Sequence, residues 1–282
     1  MANGNDSRKG ALLCPGCRKL VSADEHKCPY CGLSRPGSRW KNSFLTGGFS
    51  STEQLINTII AVNAAMYLLS LLISGRGLNL SANPMNFLSP DSQGLLMLGA
   101  TGAIPIDRFH RWWTLVSASY LHGGILHIAF NMLALRQISP LVIAEYGTHR
   151  MIVIYTASGV GGFMVSYLAG VSFTIGASAA VCGLIGASLY YGKSRGGIYG
   201  QAVYRQVAGW ALGIALFGLV IPGINNWAHG GGMAAGILMG LLMGYQDRKK
   251  ENLRHRIMGG LCMSGTAAVL LWAVFTGLFH QL

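Results

Sequence analysis

The chain has 282 residues, 51% of them hydrophobic and only 11% charged, and carries a formal net charge of +12. So little charge cannot cover a large soluble domain, and the composition is that of a membrane protein. Eight of the 21 Lys and Arg precede residue 42 and most of the others lie between hydrophobic stretches. No long basic stripe with interleaved aromatics is present, which argues against nucleic acid as the partner.

Met1 to Gly10 is polar, with Arg8 and Lys9 but no apolar run behind them, unlike a secretory signal. The N-terminus is therefore expected on the cytoplasmic side. Residues 11 to 32 then contain C-P-G-C, ten residues, and C-P-Y-C-G. Two such knuckles bring four thiolates, Cys14, Cys17, Cys28 and Cys31, to the tetrahedral arrangement that zinc takes. Rubredoxin-like iron and a pair of disulfides are the alternatives, and a reducing cytoplasm disfavours the disulfides. Arg35 to Gly48, with Pro36, Gly37, Gly47 and Gly48, reads as a linker. Residues 1–45 thus form a small zinc-ribbon-like module of four cysteines with its linker.

Seven hydrophobic segments follow, near 55–74, 114–135, 151–170, 176–192, 206–222, 228–245 and 257–279. Each approaches the roughly 20 residues needed to span a bilayer. The expected fold is an all-α polytopic membrane protein, with six helices in a core over 46–250 and a seventh transmembrane helix in 251–282. An N-terminus inside leaves 18 of the 21 cations in inner segments, against Arg76, Arg108 and Arg111 outside. The C-terminus then lies outside, in a protein of a bacterial inner or plasma membrane. In the long outer connection, Leu95 to Ile106 is apolar but too short to span, and Trp112 and Trp113 mark a membrane boundary.

Histidine and asparagine are costly in hydrocarbon and stand out inside the spans. His122, His127 and Asn131 occur in H-G-G-I-L-H-I-A-F-N, with His127 and Asn131 one helical turn apart. His229 opens the sixth segment in A-H-G-G-G-M-A-A-G, and the fourth begins G-A-S-A, with Ser178 among small residues. Asn63, isolated in the first segment, reads as helix packing. A metal bound by His122, His127 and His229 would lack a carboxylate ligand.

Both Ser178 and His229 begin segments expected to run in the same direction, so they share a depth. Serine needs an adjacent base to become a nucleophile, and a neutral imidazole suits that role. With no intramembrane acid, the arrangement is a Ser/His dyad. The Ser178 N–H near a helix start, with the side chains of His127 and Asn131, can stabilise an oxyanion. Gly232, Gly236, Gly240 and Gly244 make a flat face, ready to pack against Ala179, Gly183 and Ala187.

Through these three ordered motifs, residues 55 to 245 resemble the rhomboid intramembrane serine proteases. The resemblance implies Ser178 as nucleophile, His229 as general base, and His122, His127 and Asn131 around the oxyanion. Glu145 and Gly147 also fit the family's pattern. It further implies a six-helix core, cleavage of membrane-anchored substrates at or beside their transmembrane segments, and no metal or other cofactor for catalysis. Three positions depart from the pattern. Ala179 replaces the last glycine of G-x-S-G, Cys182 stands where an aromatic usually stacks on the base, and Trp113 is followed by Thr114 with Arg111 displaced. The expected partners are transmembrane protein substrates, the lipid bilayer and a cytoplasmic partner for the zinc-ribbon module, whose zinc is structural. The competing readings are a catalytically inactive rhomboid-like protein that escorts membrane clients, and a transporter, against which the lack of internal repeats counts.

Overall fold

A computed structural model describes residues 11–14, 19–30, 35–37, 52–75 and 87–279, which divide into two compact units, Met1–Asn57 and Thr58–Leu282. In the first unit, β1 (Ala11–Leu13) pairs antiparallel with β2 (Leu20–Ser22), setting Leu12 opposite Val21. Cys14 follows β1 directly and its N–H donates to the Lys19 carbonyl at 2.9 Å. Cys14 and Cys28 are buried with Val21, and Leu12 packs against them. Cys17 and Cys31 lie outside the described residues.

Nine α-helices follow among the described residues: α1 (Thr52–Ile73), α2 (Ser92–Met97), α3 (Thr114–Ser117), α4 (Ile125–Tyr146), α5 (Thr148–Leu168), α6 (Ser178–Arg195), α7 (Gly197–Val220), α8 (Asn226–Met243) and α9 (Leu253–Phe279). Single turns of π-helix at Ile104–Arg108 and of 3-10 helix at Ala118–Tyr120 punctuate the connection before α4. Five helices, α1, α4, α5, α7 and α9, are long and apolar enough to cross a membrane. The somewhat shorter α6 and α8 have 18 residues each. They make the most extensive helix contact among the described residues, with α5 packed on both.

That contact is built from absent side chains. A Cβ on Gly232 would run into the Ala179 carbonyl, one on Gly236 into the Gly183 backbone, and one on Gly240 would come within 3.2 Å of the Ala187 Cα. The matched four-residue steps make α6 and α8 parallel and backbone-close, which small residues permit in a membrane bundle. The glycine face foreseen from the sequence thus packs as expected, except that Gly244 lies past the helix as its C-cap.

The second and fifth segments differ most from the sequence reading. The second hydrophobic segment does not start a long helix at 114. Residues 114–120 form short turns, the consecutive Gly123 and Gly124 interrupt the helix, and α4 starts only at Ile125. Each glycine inside a helix costs about 1 kcal/mol relative to alanine, so a pair is a natural break. α4 also runs on to Tyr146 rather than ending near 135, so Arg136 sits on its exposed side, not in a loop. The α7 helix starts nine residues before the expected 206, which takes Arg205 into it.

Arg150 is also more than a topology signal. Completely buried at the start of α5, it donates from Nη1 to the carbonyls of Gly244 (2.5 Å) and Lys249 (2.9 Å), and from Nη2 to Gln246 Oε1 (3.0 Å). Beside it, the Glu251 carboxylate accepts from the backbone N–H of His149 at 2.8 Å and of Arg150 at 3.1 Å, and from His149 Nδ1 at 3.0 Å. Burial alone would raise the pKa of Glu251, but these hydrogen bonds outweigh it and hold the group below its usual value. The α8–α9 connection is thereby tied to the α4–α5 junction.

Candidate active site

Ser178 is the first residue of α6, so its N–H is among the four that a helix leaves without an intrahelical acceptor. The turn before it is pinned from two sides. Thr101 and Thr174 exchange antiparallel backbone hydrogen bonds of 3.1 and 2.7 Å, and the Gly176 N–H donates to the Ala118 carbonyl at 2.8 Å. Gly176 has φ +125°, a conformation that side chains rarely adopt, and a Cβ there would lie 2.7 Å from His127 Nε2 and 3.7 Å from Ser178 Oγ. The backbone entering α6 therefore passes directly against the His127 ring, beside the serine hydroxyl.

His127 lies in the first turn of α4, and its Nδ1 accepts the Gly123 N–H at 3.2 Å. In a neutral ring that contact sets the proton on Nε2, the nitrogen facing Gly176. His122 stands edge-on to His127, with ring centroids 5.1 Å apart. It is fully buried and neither of its ring nitrogens has a hydrogen-bond partner among the described residues. Asn131, one turn along α4 from His127, donates one amide hydrogen back to the His127 carbonyl at 2.8 Å. His122, His127 and Asn131 thus lie together, with one of the two Asn131 amide hydrogens committed to the helix.

His229 lies in the first turn of α8, half-buried like Ser178. The Gly232–Ala179 contact sets the register of the parallel helices and places His229 within a turn of the level of Ser178. Among the described residues no hydrogen bond joins Ser178 to His229, and His229 Nδ1 is buried without a partner. Cys182 is 1% exposed, one turn after Ser178 on the buried side of α6. Among the described residues, His122, His127 and His229 form no group able to hold a metal ion.

One residue at this site escaped the sequence reading. Asn225 caps α8 by accepting the Ala228 N–H at 3.0 Å, while its amide donates to Ser166 Oγ at 2.6 Å and to Thr174 Oγ1 at 2.9 Å. It thereby ties the start of the His229 helix to the end of α5 and to the strand-like turn leading into Ser178. An asparagine just ahead of a helix is a legible N-cap signal. Its two further partners are 51 and 59 residues away in sequence, and nothing local announces them. The connection before α4 is anchored nearby: Arg111 donates to the Leu96 carbonyl at 3.3 Å, and Trp112 stands edge-on to Tyr167 at 5.4 Å.

The fold and these residues define a helical integral membrane protein with a serine and a histidine cluster at one end of a tightly packed helix pair. Comparison with known proteins carries this further. A rhomboid domain matches residues 110–246. The chain is 35% identical over 167 residues to RHOMBOID-like protein 4 of Arabidopsis thaliana, covering 58% of this chain and 42% of that protein. It is 32% identical over 170 residues to the Rhomboid protease GluP of Bacillus subtilis (strain 168), covering 60% of this chain and 33% of the protease. With RHOMBOID-like protein 5 of Arabidopsis thaliana it shares 30% identity over 211 residues, covering 67% of each. The chain belongs to the rhomboid family. It spans between a third and a half of the length of the first two of these relatives.

Proposed function

We propose that this protein is an intramembrane serine endopeptidase that cleaves transmembrane or membrane-anchored proteins through a Ser178/His229 dyad. The observation that carries the reading is the convergence of His127 Nε2 and Ser178 Oγ on the space beside Gly176, at the first turn of a helix. There an attacked carbonyl would find the nucleophile, a helix-start N–H and an imidazole N–H together. Ser178 attacks the peptide carbonyl while His229 takes its proton and returns it to the leaving amine. His127 Nε2 and the Ser178 N–H stabilise the oxyanion, with the uncommitted Asn131 amide hydrogen as a further donor and His122 supporting the His127 ring. Water then hydrolyses the acyl-enzyme. The hydroxyl–imidazole hydrogen bond, absent in the resting structure, forms with substrate, as catalytic hydrogen bonds commonly do. A fluorophosphonate probe tests the assignment: it should label the solubilised protein at Ser178. Labelling elsewhere, or none, returns the chain to the reading of an inactive client-binding rhomboid.

Asn225 acts in this scheme as a positioning residue. Asn225→Ala removes the cap, worth about 1 kcal/mol, and also frees the turn before Ser178 from α8. The kcat for a single-span substrate should fall on the order of ten- to a hundredfold with little change in KM, because a small misplacement of reacting groups is costly. Thr174→Val, which keeps the cap, should reproduce part of the loss. If both variants keep full kcat and only melt earlier, Asn225 is a helix cap and nothing more.

The N-terminal module is assigned a structural zinc on Cys14, Cys17, Cys28 and Cys31. A hairpin with three residues in each strand is marginal without help. The burial of Cys14 and Cys28 beside Val21 puts thiols where a larger domain would put its core. Bound zinc supplies that missing folding energy through deprotonated thiolates. The module is the docking site for a cytoplasmic partner, with the N-terminus inside and the C-terminus outside. Elemental analysis should find one zinc per full chain and none after removal of residues 1–45, with cleavage of a model substrate in detergent largely retained. Loss of cleavage in a still-folded truncated protein would couple the module to the chemistry and refute its independence.

A further inference from the structure

The end of the bundle opposite Ser178 carries a cavity bordered by two cations. Where α6 ends and α7 begins, Gly192, Lys193, Gly196, Gln201, Tyr204 and Arg205 line an open cavity of about 360 Å³. A Cβ on Gly192 would lie 2.8 Å from the Tyr204 backbone nitrogen, so the two helices meet closely at its floor. Lys193 Nζ lies over the Tyr204 ring, 5.8 Å from its centroid, and Arg205 has no hydrogen bond or ion pair among the described residues.

The charge at this end is unbalanced for a reason visible in the acids. Glu145 accepts the Tyr199 hydroxyl at 2.8 Å, Asp247 pairs with Arg195 at 2.9 Å, and Glu251 is taken up by His149 and Arg150. Among the described residues no ion pair engages Lys193 or Arg205. The surroundings fix the depth of the cavity in a membrane. Ile198, beside it in the first turn of α7, is 93% exposed, and Tyr199 and Tyr204 are exposed as well. Bare apolar surface, amphipathic rings and cations side by side belong at the boundary between acyl chains and headgroups.

We propose that this cavity binds a phosphate group presented by an anionic phospholipid headgroup. Lys193 and Arg205 neutralise the phosphate, the Gln201 side chain offers a hydrogen bond, and the acyl chains lie along the exposed apolar side of α7. A zwitterionic lipid brings its own cation and gains less from two unpaired positive side chains. The site lies away from Ser178 and does not depend on the proposed protease activity.

The test uses the full chain in detergent, with retained phosphatidylglycerol and phosphatidylcholine of matched acyl chains counted by native mass spectrometry. Wild type should prefer phosphatidylglycerol by on the order of tenfold, and the double variant Lys193→Gln, Arg205→Gln should lose that preference. Both side chains are exposed, so the variant should melt with the wild type. Arg254→Gln with Arg256→Gln removes the same charge from exposed positions in the first turn of α9 and should keep the preference. Equal loss in both double variants, or no preference in wild type, overturns the site. Displacement of the lipid by a millimolar excess of inorganic phosphate overturns the lipid assignment and makes the ligand a soluble phosphate.

Discussion

Ser178→Ala is expected to abolish cleavage of a single-span substrate and fluorophosphonate labelling together, while leaving the melting temperature within a degree or two of wild type. The effect is large because nucleophile and base act as a unit, so removing either costs nearly the whole covalent pathway, roughly 10⁴-fold or more. The effect on folding is small because Ser178 is only half-buried and its hydroxyl has no hydrogen-bond partner among the described residues. His229→Ala should match it in activity. The oxyanion donors should be graded below both, with His127→Ala more harmful than Asn131→Ala. His127 Nε2 faces the serine side of Gly176, whereas Asn131 already spends one hydrogen on the His127 carbonyl. Proteolysis by Ser178→Ala at the wild-type rate would refute the enzyme assignment outright.

Gly236→Leu is expected to unfold the site without touching a reacting group. Any Cβ at this position enters the Gly183 backbone, which cannot rotate away as a side chain would, so α6 and α8 must separate. Overpacking of this kind costs about 1–3 kcal/mol and more where backbone is the obstacle. Separation also moves His229 from the level of Ser178. Thermal unfolding in detergent should show a clear drop for Gly236→Leu, and labelling of Ser178 should fall with it. Gly213→Ala in α7, where no atom lies within 4 Å of the new methyl, should melt at or above the wild-type temperature. Equal stability of the two variants would mean that the helices are not held at the distance seen here.

The Cys182 departure acquires a physical reading at the same contact. With the thiol almost fully buried in α6, Cys182→Phe adds volume to a closed space, so it should destabilise before it can orient His229.

How much of this was legible in one dimension follows from the range of each interaction. Hydrophobic runs of spanning length, the four-residue glycine spacing of α8 and the motifs around His127, Ser178 and His229 are local patterns, and they pointed to a helical membrane protein, its closest helix contact and its candidate site. The Gly123–Gly124 break was visible but lost to the apolar run around it, which extended the second segment eleven residues too early. Tertiary structure alone decided what distant partners decide. It turned Arg150 from a loop charge into a buried tether, because the carbonyls that satisfy it come from residues 244 and 249. It joined Asn225 to Thr174 and Ser166 across three elements, and it left Lys193 and Arg205 without an ion pair among the described residues. A side chain's type fixes what it can bond, but which partner comes within 3 Å depends on how helices far apart in sequence pack, and that is written in no single segment.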